Sequence, residues 1–141
     1  METRTAAAGE GDVPGGPALA AISNAMVQIM RDAVGKGPTR CKTHWAGPDM
    51  LLVVLRGGYL AAERTLYEAG RDEEVRAARQ ALQDVLESRM RELIEEHVGR
   101  QVVAFLSAHH QDPDLQVEIF VLEPLAKPAA ERVAAPALSN A

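Results

Sequence analysis

The first regular pattern in the chain is an amphipathic stretch that begins at Pro17. Apolar residues recur after it at helical spacing, at Leu19, Ile22, Met26, Ile29, Met30 and Ala33. This period places apolar side chains on one face of a helix, and proline is well tolerated at a first helical position. Gly35 and Gly37 then interrupt the pattern. The sequence therefore predicts a first helix from Pro17 to about Gly35.

Two strand patterns follow, separated by a turn. Residues 39–46 (TRCKTHWA) alternate between polar and apolar positions, as expected of a half-buried strand. Residues 49–56 (DMLLVVLR) are rich in aliphatic and β-branched side chains. Gly47-Pro48 lies between the two segments and is typical of a turn. Together they predict a β-hairpin, which Gly57-Gly58 ends.

Two further helices are predicted after the hairpin. A short one covers residues 60–69 and ends at Gly70. A longer one begins with Asp72 as its N-cap, since a short polar side chain there can accept from unpaired backbone N–H groups. It ends at Gly99, a suitable C-terminal glycine. Its apolar stripe consists of Val75, Ala78, Leu82, Val85, Leu86, Met90, Leu93 and Ile94.

The last two patterns are strands at residues 102–109 and 115–122, joined by a loop at 110–114. Gln116 and Glu118 alternate with apolar neighbours, which predicts that both lie on a solvated face of the sheet. The predicted fold class is α+β, in the order α-ββ-α-α-ββ. Its four-stranded sheet is antiparallel, and the first and third helices cover one face.

The two ends of the chain lack this periodicity. Residues 1–16 are rich in glycine, alanine and charge, and residues 124–141 interleave prolines with alanines. Such compositions bury too little apolar surface to fold alone, so both segments are predicted to be disordered tails. A chain of 141 residues has room for one domain, which is predicted to span residues 17–123.

Composition indicates which partners the chain is unsuited to bind and in which compartment it is expected. The formal net charge of −5 argues against general nucleic-acid binding, because phosphate neutralisation requires a basic surface. Residues 18–34 carry too many polar side chains to span a bilayer. Cys41 is the single cysteine, and the N-terminus has no signal-peptide pattern. We therefore expect a reducing, cytoplasmic location.

Catalytic and metal chemistry find little support in the sequence. The histidines and Cys41 lack the close pairs, such as CxxC or HxxxH, that indicate zinc sites. Cys41 and His44 lie three positions apart on a predicted strand and so face opposite sides of the sheet. No GxSxG, GxGxxG, Walker A or HExxH motif occurs. We expect no catalytic residue, no metal site and no cofactor.

The GKGPTR segment at residues 35–40 is open to two interpretations. Its glycines and proline would be sufficient to reverse the chain from helix into strand, and nearby cations favour a helix C-terminus. Alternatively, the basic residues of this loop contact an anion or a partner protein. The candidate contact residues are Lys36, Gly37, Arg40 and Asp49.

The order of these motifs resembles the bacterial MpsC-like family. The resemblance rests on GKGP at residues 35–38, DMLLVVLRG at 49–57, EVRAARQAL at 74–82, ELIEEHVGRQVV at 92–103 and VEIFVLE at 117–123. It covers residues 18–123, although GGYLAAER at 57–64 departs from the Thr-Pro helix start common in the family. The family name refers to a membrane-potential-generating, inorganic-carbon-associated system. The resemblance offers no catalytic residues to assign.

Two functions from different classes follow. The resemblance implies a soluble, non-enzymatic accessory or regulatory domain that acts through protein partners, linked to a membrane ion or bicarbonate transport system. A chain without a membrane span is not expected to translocate an ion itself. The alternative is a small-anion or nucleotide-binding sensor that uses the Lys36/Arg40 loop. A homodimer is also predicted, formed through strand 115–122 if that strand lies at a sheet edge.

Overall fold

The computed structural model describes residues 14–58 and 60–125. Its elements are α1 (Gly16–Val34), β1 (Arg40–Trp45), β2 (Met50–Arg56), α2 (Ala61–Glu68), α3 (Asp72–Val98), β3 (Val102–His110) and β4 (Leu115–Leu122). This confirms the α+β class and the order α-ββ-α-α-ββ. The tails predicted at 1–16 and 124–141 fall almost entirely outside the described residues, so their disorder and the domain limits stay predictions.

The four strands form one antiparallel sheet in the order β1-β2-β4-β3. β4 therefore lies inside the sheet, and β1 and β3 form its two edges. The predicted dimer through residues 115–122 required an edge position for that strand. This position is wrong, because β4 is hydrogen-bonded to a neighbouring strand on each side.

The core lies between one face of the sheet and the helices α1 and α3. Its largest fully buried side chains include Phe120, Ile22, Met26, Leu51, Met90 and Ile94. They alternate along the strands and recur at helical spacing, so each element contributes one face to the core. The rings of Phe105 and Phe120 lie 5.1 Å apart between their centroids, in a tilted arrangement.

The start of α3 differs from the prediction. Arg71 occupies the N-cap position, and Asp72 is already the first helical residue. The predicted N-cap role of Asp72 is therefore wrong. Its carboxylate instead joins those of Glu73 and Glu74 in the first turn, where negative charge is favourable because the helix dipole is positive at this end.

The apolar stripe of α3 is narrower than predicted. Leu86 and Met90 are buried, but Ala78 and Val85 are exposed, with Val85 at 72%. Their inclusion in the stripe is wrong because α1 and the sheet cover only the side of the helix that carries Leu86. Val85 therefore faces solvent.

The polar residues of β4 lie on the buried face. Gln116 and Glu118 pair in register with Leu55 and Val53, which are core residues. Glu118 is completely buried. The prediction that both residues face solvent is wrong, because Gln83 of α3 hydrogen-bonds to both side chains from the helix side of the sheet.

The opposite face of the sheet, which we call the open face, is largely apolar. Its apolar side chains are Met50, Leu52 and Val54 of β2, Val117, Ile119 and Val121 of β4, and Ala104, Leu106 and Ala108 of β3. Arg40, Lys42 and Arg56 form a basic row at its β1 side. In the described part of the chain, α1 and α3 pack on the other face and leave this one uncovered.

Candidate functional site

The structure does not bring the four predicted contact residues together. Lys36 and Gly37 lie in the loop between α1 and β1, Arg40 begins β1, and Asp49 lies in the β1–β2 turn. Arg40 pairs with Arg56 at one end of the hairpin, whereas this turn is at the other end. β1 has 6 residues, and a strand of that length extends about 20 Å. Asp49 and the loop therefore belong to different surfaces.

Asp49 is held by Arg100. The Nη2 group of Arg100 donates to Asp49 Oδ1 at 2.5 Å and to the Glu123 carbonyl at 2.7 Å, and Nη1 donates to the Pro48 carbonyl at 2.8 Å. These bonds tie the β1–β2 turn to the ends of α3 and β4. The carboxylate of Asp49 thus has a partner within the fold, and its role in partner contact stays a prediction.

The backbone conformation and the close packing of the GKGP loop explain why both of its glycines are present. Gly35 adopts a φ of +83°, and its N–H donates to the Arg31 carbonyl at 2.8 Å, which ends α1. A Cβ on Gly37 would lie 3.1 Å from Val27 Cγ1. Both positions therefore favour glycine for structural reasons, independently of any contact that the flanking Lys36 makes.

Lys36 lines a small cavity beside this loop. The cavity has a volume of about 50 Å³ and is bounded by the end of α1, the end of β2, the start of α2 and the middle of α3. Its polar lining includes Glu63, Arg79 and Gln83. Pockets for small organic ligands usually measure about 300–1,000 Å³. This cavity therefore suits a small inorganic ion better than a nucleotide, and Arg40 lies away from it on the open face.

An ion-pair cluster forms one wall of the cavity. Arg79 donates to both carboxylate oxygens of Glu63 at 3.0 Å each, and to Asp114 Oδ1 at 3.0 Å. The three side chains are only 11–17% exposed. Glu63 also accepts from the Leu60 N–H at 3.1 Å. The cluster joins α2, α3 and the β3–β4 loop, and its carboxylates compensate the charge of Arg79.

The pKa values of Arg79 and Glu63 also reflect this pairing of opposite charges. Burial opposes the charged forms of Arg79 and Glu63, but their mutual hydrogen bonds outweigh it, raising the pKa of Arg79 and lowering that of Glu63. Burial, together with the positive charges of Arg79 and Arg76, also lowers the pKa of His109. Arg79 is thus a paired, permanently charged group, and binding an exogenous anion there would compete with Glu63.

A second polar cluster surrounds Glu118 beneath α3. Gln83 Nε2 donates to Glu118 Oε2 at 2.5 Å and to Ser107 Oγ at 2.7 Å, and Gln116 Nε2 donates to the same carboxylate oxygen. Within the described residues, Glu118 Oε1 has no partner. Burial raises the pKa of Glu118, and its hydrogen bonds only partly oppose this effect. Glu118 therefore keeps its proton to a higher pH than an exposed glutamate does, since the neutral form avoids a buried charge.

The open face is a candidate surface that the sequence predictions missed. A signal was present: β2 reads MLLVVLR, with apolar residues at successive positions, which is typical of a strand whose two faces are both apolar. Arg40, Lys42 and Arg56 are exposed at its side. Among the described residues, no acidic side chain forms an ion pair with any of them.

The described domain also matches a known family. The family model described as "Na+-translocating membrane potential-generating system (MpsC)" matches residues 16–124. The chain belongs to the MpsC family. The match begins at the first residue of α1 and ends just after β4, so the cavity and the open face both lie in the MpsC region. The predicted resemblance is thereby confirmed.

Other comparisons add no relative of this MpsC chain. No curated protein and no solved structure gives a significant match to it. Within residues 14–58 and 60–125, no helix combines the length and the apolar composition needed to cross a membrane.

Two kinds of chemistry can be checked in the described part of this MpsC protein, a reactive thiol at Cys41 and a metal centre. Burial raises the pKa of Cys41 to about 11, which the hydrogen bond to Ser23 only partly opposes. The thiol is therefore protonated at neutral pH and is a poor nucleophile. Among these residues, no three His, Cys, Asp or Glu side chains are grouped so as to hold a metal ion. The features best suited to binding are the open face and the cavity beside Lys36.

Proposed function

We propose that this MpsC protein is a non-enzymatic accessory or regulatory protein that acts in the cytoplasm, through protein contacts, on a membrane ion or bicarbonate transport system. The description of its family supports the link to a membrane-potential-generating system. The observation that carries the proposal is the open face, an apolar surface with a basic row at its side, which the described helices leave uncovered. This surface is suited to binding another protein rather than to chemistry.

The apolar part of the open face supports a protein contact. Leu106 is 53% exposed and Met50 is 36% exposed, although both are large apolar residues of regular strands. Val54, Val117 and Ile119 lie between them and are half-buried. Contiguous apolar surface on a folded protein marks interaction sites, whereas single exposed apolar residues do not. The open face belongs to the first kind.

The basic row indicates the charge of the partner. Arg40, Lys42 and Arg56 gather three positive charges on one side of a chain whose formal net charge is −5. Complementary charge steers association and fixes orientation. We propose that the partner contributes an amphipathic helix, with its apolar side on β2 and β4 and its acidic side on the basic row.

Affinity capture from detergent-solubilised native membranes tests the proposal. The full chain should recover a subunit of a membrane ion or bicarbonate system. The double variant Arg40→Glu/Lys42→Glu should lose most of that subunit, because it replaces two positive charges with two negative charges that repel the acidic side of the partner. Quantitative mass spectrometry of the captured proteins gives the measurement.

The matched control is Arg64→Glu/Arg89→Glu. It changes the net charge equally, but both arginines are exposed on helices, away from the open face. This control should capture the same subunit as the wild type. Recovery of only ribosomal or metabolic proteins, or equal loss in both double variants, would contradict the proposal.

The second candidate function, a small-anion sensor, is supported by the cavity beside Lys36. Because that cavity holds about 50 Å³, the candidate ligand is an inorganic anion. A ligand present at about 100 times its Kd adds about 2.7 kcal/mol to stability. A rise in melting temperature with phosphate or bicarbonate, lost in Lys36→Ala, would favour this function. If neither phosphate nor bicarbonate changed the melting temperature, that result would contradict this function.

A further inference from the structure

We propose that the free edge of β3 binds the same edge of a second copy of this chain, giving a two-fold symmetric dimer with one continuous sheet. This inference is independent of the proposed membrane-system partner, because it uses the edge of the sheet rather than its open face. It also replaces the predicted dimer through β4, which is not an edge strand.

The direction of the backbone groups can be derived from two bonds at the end of β4. The Leu122 N–H donates to the Asp49 carbonyl at 2.9 Å, toward β2. The Glu123 N–H donates to the Gln101 carbonyl at 2.9 Å, toward β3. Successive residues of a strand direct their backbone groups to alternate sides. In β4, even-numbered residues therefore face β2 and odd-numbered residues face β3.

The register carries this alternation into β3. In β3, three even-numbered residues pair with odd-numbered residues of β4: Ala104, Leu106 and Ala108. The backbone groups of these three residues therefore face β4. The N–H and C=O groups of Phe105, Ser107 and His109 therefore point away from the sheet. In the described part of the chain, no hydrogen bond to these backbone groups from outside the sheet is present. Three consecutive outward positions are thus open for pairing.

In the part of the chain that the structure describes, only the first residue of this edge is covered. Arg91 Nη1 donates to the Val102 carbonyl at 3.2 Å, and Glu95 Oε2 accepts from the Val102 N–H at 2.9 Å. Beyond this point β3 has none of the lysines, prolines or inward-pointing charges that protect edge strands from pairing. The other edge strand, β1, carries Arg40 and Lys42. The β3 edge is therefore the better suited of the two.

A second copy suits this edge because β3 is complementary to itself. In an antiparallel pair centred on Ser107, Phe105 of one copy lies opposite His109 of the other, so all outward residues form hydrogen-bonded pairs. The same register sets Leu106 opposite Ala108 on the open face, a large side chain beside a small one. β3 contains no Lys, Arg, Asp or Glu, so no like charges meet, and like charges directly opposite would be unfavourable.

Amide hydrogen exchange on the unmodified full chain tests the dimer at single residues. At tens of micromolar, the amides of Phe105, Ser107 and His109 should exchange slowly, and dilution should remove their protection. The amides of Leu106 and Ala108 should stay protected at both concentrations, because they bond to β4. Light scattering at the high concentration should give twice the chain mass of 15.2 kDa. Fast exchange at the three outward amides there, or a monomeric mass, would overturn the proposal.

Two variants separate edge pairing from other modes of association. Leu106→Lys sets a lysine beside the two-fold axis and should give a monomer at concentrations where the wild type is a dimer. Met50→Lys changes a residue of the same open face on β2, away from the edge, and should leave the dimer intact. The opposite pattern would overturn edge pairing and indicate contact between two open faces. The exchange test does not depend on either variant folding.

Discussion

Gly57 illustrates how a single residue positions the loop beside the cavity. It adopts a φ of +77°, and a Cβ there would lie 2.2 Å from Thr39 Oγ1. Thr39 is itself held, since its N–H and its hydroxyl both donate to the Arg56 carbonyl, at 2.8 Å and 3.0 Å. The Thr39 side chain thus lies directly against the backbone of Gly57, which fixes the start of β1 beside the end of β2.

We expect Gly57→Ala to lower the free energy of unfolding more than Gly47→Ala does. Both glycines have a positive φ, and this conformation costs an L-residue about 1–2 kcal/mol. At Gly47 the added Cβ meets open space, whereas at Gly57 it overlaps Thr39, and overpacking adds about 1–3 kcal/mol. Urea denaturation of the two variants measures the difference. Equal losses would show that the contact between Gly57 and Thr39 is not tight.

A second residue-scale prediction concerns Glu118 and pH. Burial raises its folded-state pKa above the ordinary value of 4.5. The folded state then keeps a proton that the unfolded state has lost, so wild-type stability decreases as the pH rises from about 4.5 through the folded pKa. Gln does not titrate. The free energy of unfolding of Glu118→Gln, relative to the wild type, should therefore increase with pH.

The measurement is urea denaturation at several pH values between 5 and 8. Glu92→Gln is the control, because it makes the same substitution at an exposed glutamate on α3. Subtracting its effect from that of Glu118→Gln removes the general effect of a Glu→Gln change. A constant difference between Glu118→Gln and the wild type across this range would show that Glu118 has an ordinary pKa in the folded state.

At the scale of the element, α3 packs against the rest of the protein through one side only. Leu86 is buried in the core and Val85, its neighbour, is 72% exposed. Both residues are apolar, so local sequence alone does not distinguish them. The distinction arises from the sheet and α1, which cover only one side of α3.

We expect Leu86→Ala to destabilise the protein by about 2–5 kcal/mol, because it removes buried methyl groups and leaves a cavity. Val85→Ala, the adjacent control, should change stability by less than about 0.5 kcal/mol, as exposed substitutions usually do. Thermal or urea unfolding of both variants gives the comparison. A wild-type midpoint for Leu86→Ala, or a large loss for Val85→Ala, would mean that α3 packs through a different side.

The elements were predictable from the sequence because their signals are local. Periodicity, together with glycine and proline breaks, placed each boundary within one residue of its position in the structure. The buried face of β4 was not predictable in this way, because it depends on Gln83 binding Glu118 from 35 positions away. Likewise, Arg40 and Asp49 are close in sequence, but the hairpin between them carries them to opposite ends of β1.

At the scale of the whole molecule, the protein has two surfaces of different composition that we propose bind partners, the open face and the β3 edge. The open face combines apolar side chains with a basic row. The β3 edge presents backbone N–H and C=O groups on a strand without Lys, Arg, Asp or Glu. Both lie within the region that matches the MpsC family model. A dimer through β3 would place two open faces side by side on one continuous sheet. Each copy would then keep its own face for a partner, so the two proposed contacts are compatible.

The central claim is that the open face binds a membrane-system subunit, and photo-cross-linking in native cells tests it most directly. A photo-reactive amino acid replaces Met50 on the open face in one variant, and Val85 on α3 in the other. Both side chains are exposed, at 36% and 72%. We predict that position 50 cross-links to an acidic, amphipathic segment of a membrane ion or bicarbonate system subunit and that position 85 does not. Cross-links to such a subunit from position 85 alone, or from neither position, would contradict the claim.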